Sequence, residues 1–164
     1  MAVISENMIS LLNYRIEQEE MSSRLYKAMS VWLNKNGFLG ASKLWAKYSS
    51  EEAVHAQWAY EYLLDLNILP NVPQLEKPQA DFKSLQNIIA LSLKHEYEIL
   101  DQLQSLAKEA NLEMDFMTLE LAQRYLKEQV EEIAKTTTFV DELEAFGTGG
   151  AALRLFDNKM GEMA

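Results

Sequence analysis

Metal-capable side chains recur in this chain at a spacing that suits a pair of metal ions. In each half of the chain, two such positions lie 33 residues apart and a third follows three residues later. A four-helix bundle builds a two-metal site from a duplicated pattern of this kind, with one carboxylate on each helix and an i, i+3 pair on alternate helices. The pattern therefore predicts a metal centre inside a helical bundle. The six positions are Glu19, Glu52, His55, Glu96, Gln129 and Glu132.

Helical periodicity places these residues on four long helices. Apolar residues recur at steps of three and four, and the chain has only six glycines and three prolines to interrupt them. Asn36-Gly37 marks the end of the first helix, and Asp81 is the predicted N-cap of the third. The predicted helices span about residues 5–36, 38–68, 82–110 and 115–146, and a short fifth helix spans about 150–160.

The connections between the helices predict how the bundle is threaded. Helices one and two are joined by a few residues, as are three and four, so each pair forms an antiparallel hairpin. The stretch 69–80 has no helical period and can extend to roughly 40 Å, close to the length of a helix of about 30 residues. We therefore expect an all-α, single-domain four-helix bundle over residues 1–164, with a long crossover between helices two and three. We expect the fifth helix, which follows the glycine-rich stretch 147–150, to bury its apolar residues against a neighbouring subunit.

Three glutamates, Glu19, Glu52 and Glu96, lie within apolar stripes on which we find no basic residue. A buried carboxylate is costly unless it is paired, protonated or bound to a cation, so we expect bound metal. Oxygen ligands with one imidazole suit iron or manganese. Glu52 is predicted to bridge two metals, and Glu19 and His55 complete the first metal's ligands.

The second metal is predicted to bind Glu96 and Glu132, with Gln129 nearby. Because Gln129 is neutral and position 132 carries no histidine, we expect this metal to be held more loosely than the first. The remaining histidine, His95, is adjacent to Glu96 in sequence, and its side chain is therefore expected to point away from the metal ligands.

A second acidic group accompanies these ligands and consists of Glu51, Glu128, Glu131 and Glu132. Such a run on a helix can be a solvated face, but its overlap with the predicted centre favours a third metal position or an exit path. Tyr26 lies two helical turns after Glu19 on the same face. Its phenol is either an ordinary core side chain or an electron donor during oxidation.

Composition narrows the class of protein. A net charge of −10 argues against a phosphate-binding surface and hence against a nucleic-acid partner. The chain has no cysteine, which excludes thiolate metal sites and is compatible with a reducing compartment. We find no secretory signal and no apolar run of about 20 residues, so we expect a cytoplasmic protein without a membrane partner.

With these residues in place, the sequence resembles the bacterial non-haem ferritins along nearly its whole length. The resemblance rests on Glu19 with Ser22-Ser23 and Tyr26, and on the segments 51–55, 94–96 and 128–132. It implies a ferroxidase centre at the six opening positions. It also implies a third iron on Glu51, Glu128, Glu131 and Glu132, Tyr26 beside the centre, and a homo-oligomeric shell of 24 subunits. Bacterioferritins carry a haem-ligating Met where this chain has Ala53, so no haem is expected.

The resemblance predicts iron storage. Ferrous iron would be oxidised by dioxygen or hydrogen peroxide, with Glu52 and Tyr26 as the catalytic residues, and ferric hydrous oxide would fill the shell. Three alternatives stay open at this point. They are a DNA-protecting mini-ferritin, a di-iron oxidase or peroxidase that does not store iron, and a helical bundle whose carboxylates are incidental.

Overall fold

The computed structural model describes residues 3–164 of the chain. These residues form five helices with connecting loops, and none of them lies in a strand. The predicted all-α fold, with four long helices and a short fifth, is confirmed. Along these residues, no helix combines the length and the apolar character that a membrane crossing requires. Residues 1 and 2 of the predicted domain lie outside the described residues. The helices are α1 (Glu6–Lys35), α2 (Leu39–Asp65), α3 (Leu85–Leu112), α4 (Phe116–Phe146) and α5 (Gly150–Glu162).

Serine side chains fix where α1 and α3 begin. The hydroxyl oxygen of Ser5 accepts a hydrogen bond from the backbone of Met8 at 3.0 Å, which satisfies one of the free N–H groups at the start of α1. Ser84 caps α3 in the same way. The prediction that Asp81 caps α3 is wrong, because the N-cap of α3 is Ser84, three residues later. The Asp81 carboxylate instead accepts a hydrogen bond from the indole of Trp32, at 3.1 Å.

Contacts at the two ends of α1 establish the threading of the bundle. The amide nitrogen of Asn7, at the start of α1, lies 2.8 Å from a carboxylate oxygen of Glu113, just past the end of α3. Near the other end of α1, Trp32 reaches Asp81, just before α3 begins. Helices α1 and α3 are therefore antiparallel, and α2 and α3 run in the same direction. The predicted crossover is confirmed, and it occupies residues 66–84.

Two reciprocal serine pairs hold α1 and α2 close together. The hydroxyl of Ser23 donates to the carbonyl of Ser49 at 2.7 Å, and Ser49 donates back to the carbonyl of Ser23 at 2.8 Å. Ser30 and Ser42 make the same exchange, at 2.8 and 3.0 Å. Small side chains allow this close approach, and the hydrogen bonds satisfy hydroxyls that would otherwise be buried without partners. The pairing fixes the register of α1 against α2, and hence of the ligand residues that each helix carries.

The apolar core is divided into two main clusters with polar side chains between them. The larger cluster includes Tyr26, Trp45 and Phe139, and the other includes Leu12 and Leu63. Along each long helix, the residues of the predicted centre separate the residues of one cluster from those of the other. Apolar packing on both sides therefore surrounds the carboxylates with close-packed side chains.

The fifth helix packs in part against its own chain, which corrects the prediction of burial against a neighbouring subunit for Phe156 and Met160. Leu155 is 71% exposed, and its burial against a neighbouring subunit stays a prediction. Phe156 and Met160 belong to the larger core cluster of the same chain. The buried carboxylate of Asp157 accepts a hydrogen bond from the backbone N–H of Ala41 at 2.8 Å and so caps the start of α2. Close approach of the two backbones is possible because Gly40 has no side chain: a Cβ there would lie 1.8 Å from the carbonyl oxygen of Asp157.

Candidate metal centre

Side chains from the four long helices form two groups of potential metal ligands, and only α2 contributes to both. The first group is Glu19, Glu52 and His55, and the second is Glu52, Glu96 and Glu132. Within each group, one ligand atom from every residue lies within 4.8 Å of the others. Such spacing is compatible with a single ion in contact with all three. Because Glu52 belongs to both groups, the arrangement is that of two adjacent ion positions with a shared carboxylate.

The carboxylates of this centre are withdrawn from solvent. Glu19, Glu52 and Glu96 are 2%, 5% and 4% exposed. Moving an ionised carboxylate out of water costs several kcal/mol unless a cation or hydrogen bonds compensate. Three such groups between two apolar clusters thus form a site that becomes more favourable when positive charge is bound.

Protonation is one way in which the metal-free centre meets this cost. Burial raises the pKa of Glu52, and the neighbouring carboxylates of Glu19, Glu132 and Glu96 raise it further. Burial also raises the pKa of Glu132, to about 9, with Glu96 and Glu19 adding to the rise. Divalent cations and protons therefore compete for the same oxygens, and binding of a cation releases protons.

The imidazole of His55 is suited to act as a neutral ligand. Its Nδ1 lies 3.1 Å from Glu52 Oε2, 4.0 Å from Glu19 Oε2 and 3.9 Å from Glu132 Oε1. Burial lowers the pKa of His55, although the surrounding carboxylates act in the opposite direction. A neutral imidazole keeps a free lone pair, which metal coordination requires.

Two hydrogen-bond donors hold Glu96 in place. The phenol of Tyr26 donates to Glu96 Oε1, and the amide of Gln129 donates to Glu96 Oε2 at 2.7 Å. Burial raises the pKa of Glu96, whereas these two hydrogen bonds lower it because they favour the ionised form. Tyr26 and Gln129, both singled out from the sequence, thus lie beside the second group of ligands. Burial also raises the pKa of Tyr26, so its phenol keeps its proton.

A buried arginine adjoins the centre, which corrects the expectation that no basic residue lies on the apolar stripes. Arg15 is 2% exposed, and its Nε lies 3.0 Å from Glu19 Oε1. The two residues are four apart on α1, so they share a face of the helix. Counting four positions back from Glu19 would have identified this ion pair from the sequence.

The remaining acidic residues lie outside both groups. Among residues 3–164, Glu51, Glu128 and Glu131 belong to neither three-ligand group, and Glu131 is exposed. Glu51 and Glu128 are near enough that their charge raises the pKa of His55. Their assignment to a third metal position stays a prediction.

His95 lies behind the centre and in neither ligand group. Its Nε2 is 2.7 Å from the hydroxyl oxygen of Ser22, and its ring meets that of Tyr26 edge-on at 5.9 Å between centroids. Ser22 donates its own hydroxyl hydrogen to the carbonyl of Gln18, so His95 Nε2 is the donor in the pair. His95 therefore packs against the ring of Tyr26, whose phenol contacts Glu96.

An aromatic stack covers His55, and the sequence analysis did not identify it. The ring of Trp58 lies 4.8 Å from that of His55, and the guanidinium of Arg124 lies 3.6 Å from the centre of the Trp58 ring. Trp58 follows His55 by three residues, which is the spacing of neighbours on one face of a helix. This packing contributes to the burial of His55, which is 7% exposed.

A four-helix bundle with carboxylates and histidine on its inner faces is the architecture of the ferritin-like class. The family model described as a ferritin-like domain matches residues 9–146. A probable bacterial non-heme ferritin-like protein of Haemophilus influenzae is 31% identical over 162 residues, which cover 99% of this chain and 98% of that protein. A bacterial non-heme ferritin of Escherichia coli O6:H1 is 32% identical over 158 residues, 96% of each chain.

Solved structures give the same assignment. The open pore ferritin of the archaeon Archaeoglobus fulgidus superimposes with a TM-score of 0.94 at 28% identity, over 98% of each chain. The chain belongs to the ferritin family, and iron storage with metal binding is its general function.

Proposed function

We propose that each subunit oxidises ferrous iron at the paired centre and that the ferric product is stored inside a shell of 24 copies. The observation that carries the oxidation step is that the two three-ligand groups share Glu52. A shared carboxylate brings two ferrous ions close enough to give up one electron each to the same oxidant. Iron is the substrate of this reaction and passes through the centre.

The chemistry needs a two-electron acceptor. Two ferrous ions supply two electrons, which reduce dioxygen with two protons to hydrogen peroxide, or reduce hydrogen peroxide with two protons to water. A cavity of about 20 Å³ beside Glu52, Glu96 and Glu132, lined also by Tyr26 and Tyr48, has room for one water-sized molecule. This cavity supports access of a small oxidant to the ion positions.

The side chains around the ions have separate parts in this proposal. Glu19 and His55 complete the ligands of one ion, and Glu96 and Glu132, with Gln129, complete those of the other. Tyr26 orients Glu96 and is the candidate electron donor. Glu51, Glu128 and Glu131, with Glu132, form a third position through which iron leaves the centre.

Assembly and location complete the proposal. The similarity to ferritins supports the proposed shell, and the contacts of one chain do not bear on it. No haem takes part, because Ala53 stands where a haem-ligating Met is expected in bacterioferritins. We place the protein in the cytoplasm, as predicted from the sequence.

The test is aerobic loading of metal-free protein with ferrous iron, followed by gel filtration with mass measurement. We expect many irons per chain in a particle with the mass of twenty-four chains. In Glu52→Ala, rapid oxidation is expected to be lost while the helical content is kept, and Glu144→Gln, an exposed change on α4, serves as the matched control. An E52A variant that oxidises iron as fast as the wild type contradicts the assignment of the centre, and a few irons per chain contradict storage.

A further inference from the structure

Arg15 is a buried cation fixed at the edge of the proposed centre. It lies one turn before Glu19 on α1, with its Nε 3.0 Å from Glu19 Oε1. A guanidinium that is 2% exposed is costly to bury, so it is retained only where surrounding groups stabilise its charge. Its position next to a proposed metal ligand therefore bears on how strongly that ligand binds a second cation.

Side chains from two helices hold the guanidinium in place. Arg15 Nη1 donates to Gln102 Oε1 on α3 at 3.1 Å, and Gln102 Nε2 donates to Gln18 Oε1 at 3.0 Å. Within residues 3–164, Arg15 Nε and Nη2 are buried without a hydrogen-bond partner, so the 3.0 Å contact of Nε with Glu19 Oε1 is an ion pair without hydrogen-bond geometry. Glu19 is thus the acidic group to which this charge is bound.

Glu19 presents its two oxygens to two different neighbours. Oε1 faces Arg15, and Oε2 faces Nδ1 of His55, 4.0 Å away. A metal ion held by Glu19, Glu52 and His55 would therefore share Glu19 with a fixed positive charge. Repulsion between the guanidinium and the ion is weakly screened because Arg15 and Glu19 are both buried.

The second ligand group has no cation in direct contact with its carboxylates, although Lys135 lines the cavity beside Glu132 and its charge opposes the rise in the pKa of Glu132. Within the described part of the chain, no Lys or Arg nitrogen lies within 4.0 Å of a carboxylate oxygen of Glu52, Glu96 or Glu132. Its charge is balanced in other ways, by protons and by the hydrogen bonds to Glu96. The two halves of the centre therefore differ in whether a permanent cation is in direct contact with one of the ligands.

We propose that Arg15 acts as a built-in counter-ion that lowers the affinity of the Glu19–Glu52–His55 group for divalent cations. The first ion is then exchanged instead of being retained, as a centre through which iron passes requires. This inference rests on the proposed function. It differs from the sequence-based expectation, in which only the second metal was loosely held, because that expectation did not include Arg15.

Zinc binding to the metal-free, full-length protein tests this role, because Zn²⁺ is not oxidised or reduced at the centre. Calorimetry of the wild type is expected to resolve binding at both groups, and His55→Ala identifies the step that belongs to the first. In Arg15→Gln, we expect that step to become about tenfold tighter or more, and we expect bound Zn²⁺ to transfer to a chelator more slowly. Arg15→Lys, which keeps the charge, is expected to stay within about threefold of the wild type.

A purely structural role for Arg15 predicts weaker binding in Arg15→Gln, so the direction of the change separates the two roles. Unchanged or weaker Zn²⁺ binding in Arg15→Gln overturns the proposal. Binding by Arg15→Lys that is as tight as binding by Arg15→Gln also overturns it. If Arg15→Gln does not fold, Arg15→Met removes the same charge and keeps an apolar stem. Folded wild-type protein that binds no Zn²⁺ would instead remove the metal centre itself, and this outcome is distinct from a failure confined to Arg15.

Discussion

Gln129 donates its side-chain amide to two acceptors of one residue, the backbone carbonyl of Glu96 at 2.9 Å and the carboxylate oxygen Oε2 at 2.7 Å. Both residues are buried, and they lie on facing helices, α4 and α3. The neutral amide therefore stabilises an ionised Glu96 in the absence of metal, which a carboxylate at position 129 would not do. Gln129, which was predicted to lie near the second metal, thus also holds the ligand Glu96 in place.

Replacing Gln129 by Glu is expected to destabilise the metal-free protein. At pH 8, a carboxylate would face Glu96 where a donor now stands, and the loss of a hydrogen bond to a buried charged group costs about 2–3 kcal/mol. Zn²⁺ is expected to restore part of this loss because the added carboxylate can bind the ion. Denaturation midpoints with and without Zn²⁺ measure both effects, and equal midpoints for metal-free Q129E and wild type would contradict the stated role of the amide.

Replacing Tyr26 by Phe is expected to slow iron oxidation without emptying the centre. The variant loses the phenol that donates to Glu96. A hydrogen bond to a charged group is worth about 1.5–3 kcal/mol, which corresponds to roughly tenfold or more in rate. Stopped-flow oxidation measures the rate, and calorimetry with Zn²⁺ is expected to show an unchanged number of bound ions.

Tyr48→Phe is the matched control for this experiment. Within the described residues, the Tyr48 hydroxyl is buried and has no hydrogen-bond partner, although its ring lies 6.3 Å from that of Tyr26. A rate that falls equally in both variants would indicate a general effect of phenols near the centre and not a role specific to Tyr26.

The metal-free protein is expected to lose stability as the pH rises. Because burial, followed by the charges of Glu96 and Glu19, raises the pKa of Glu132 from 4.5 to about 9, the folded state binds more protons than the unfolded state between these values. The free energy of unfolding therefore falls with increasing pH across this window. Urea denaturation at pH 5.5 and 8.5 is expected to show a smaller difference in Glu132→Gln than in the wild type.

Glu144→Gln changes an exposed carboxylate of the same helix and is expected to leave that pH dependence unchanged. Saturation with Zn²⁺ is expected to reverse the loss at high pH, since the ion replaces the protons. A metal-free wild type that is more stable at pH 8.5 than at pH 5.5 would show that the carboxylates are not protonated as described.

The contact between α5 and α2 is expected to tolerate no side chain at position 40. A Cβ on Gly40 would meet the Asp157 carbonyl at 1.8 Å, so Gly40→Ala must displace α5 or the start of α2. Overpacking of this kind typically lowers the free energy of unfolding by about 1–3 kcal/mol. For Gly40→Ala we expect a loss of about 3 kcal/mol. Gly149→Ala is the matched control because a Cβ there meets nothing within 4 Å. Thermal unfolding of the two variants gives the comparison.

The bundle could be predicted from the sequence because helical periodicity and one long non-helical stretch define it almost alone. The start of α3 could not, since Asp81 and Ser84 are both good capping residues and only the packing of Trp32 against Asp81 decides between them. The position of α5 depends on a close backbone approach at Gly40, which no periodicity reveals.

The candidate centre was predictable in outline for a similar reason. Ligand spacing along helices follows from the helical repeat, so the carboxylates and His55 could be placed on one inner face. The expectation of stripes without a basic residue was wrong because Arg15 stands four residues before Glu19, on the same face of α1. The hydrogen bonds of Gln129 and the stack of Trp58 on His55 depend on contacts between facing or neighbouring side chains, which spacing alone does not give.

The crossover between α2 and α3 divides the centre between two hairpins. Glu19, Glu52 and His55 all belong to the α1–α2 hairpin, whereas Glu96 and Glu132 come from the α3–α4 hairpin. Contacts within a hairpin are local and form early, while docking of the hairpins joins distant segments and comes later. A chain in which only the α1–α2 hairpin is folded can thus offer three ligands to one ion, but it lacks Glu96 and Glu132 for a second ion. Under the proposed function, paired oxidation therefore requires both hairpins packed together in the complete subunit.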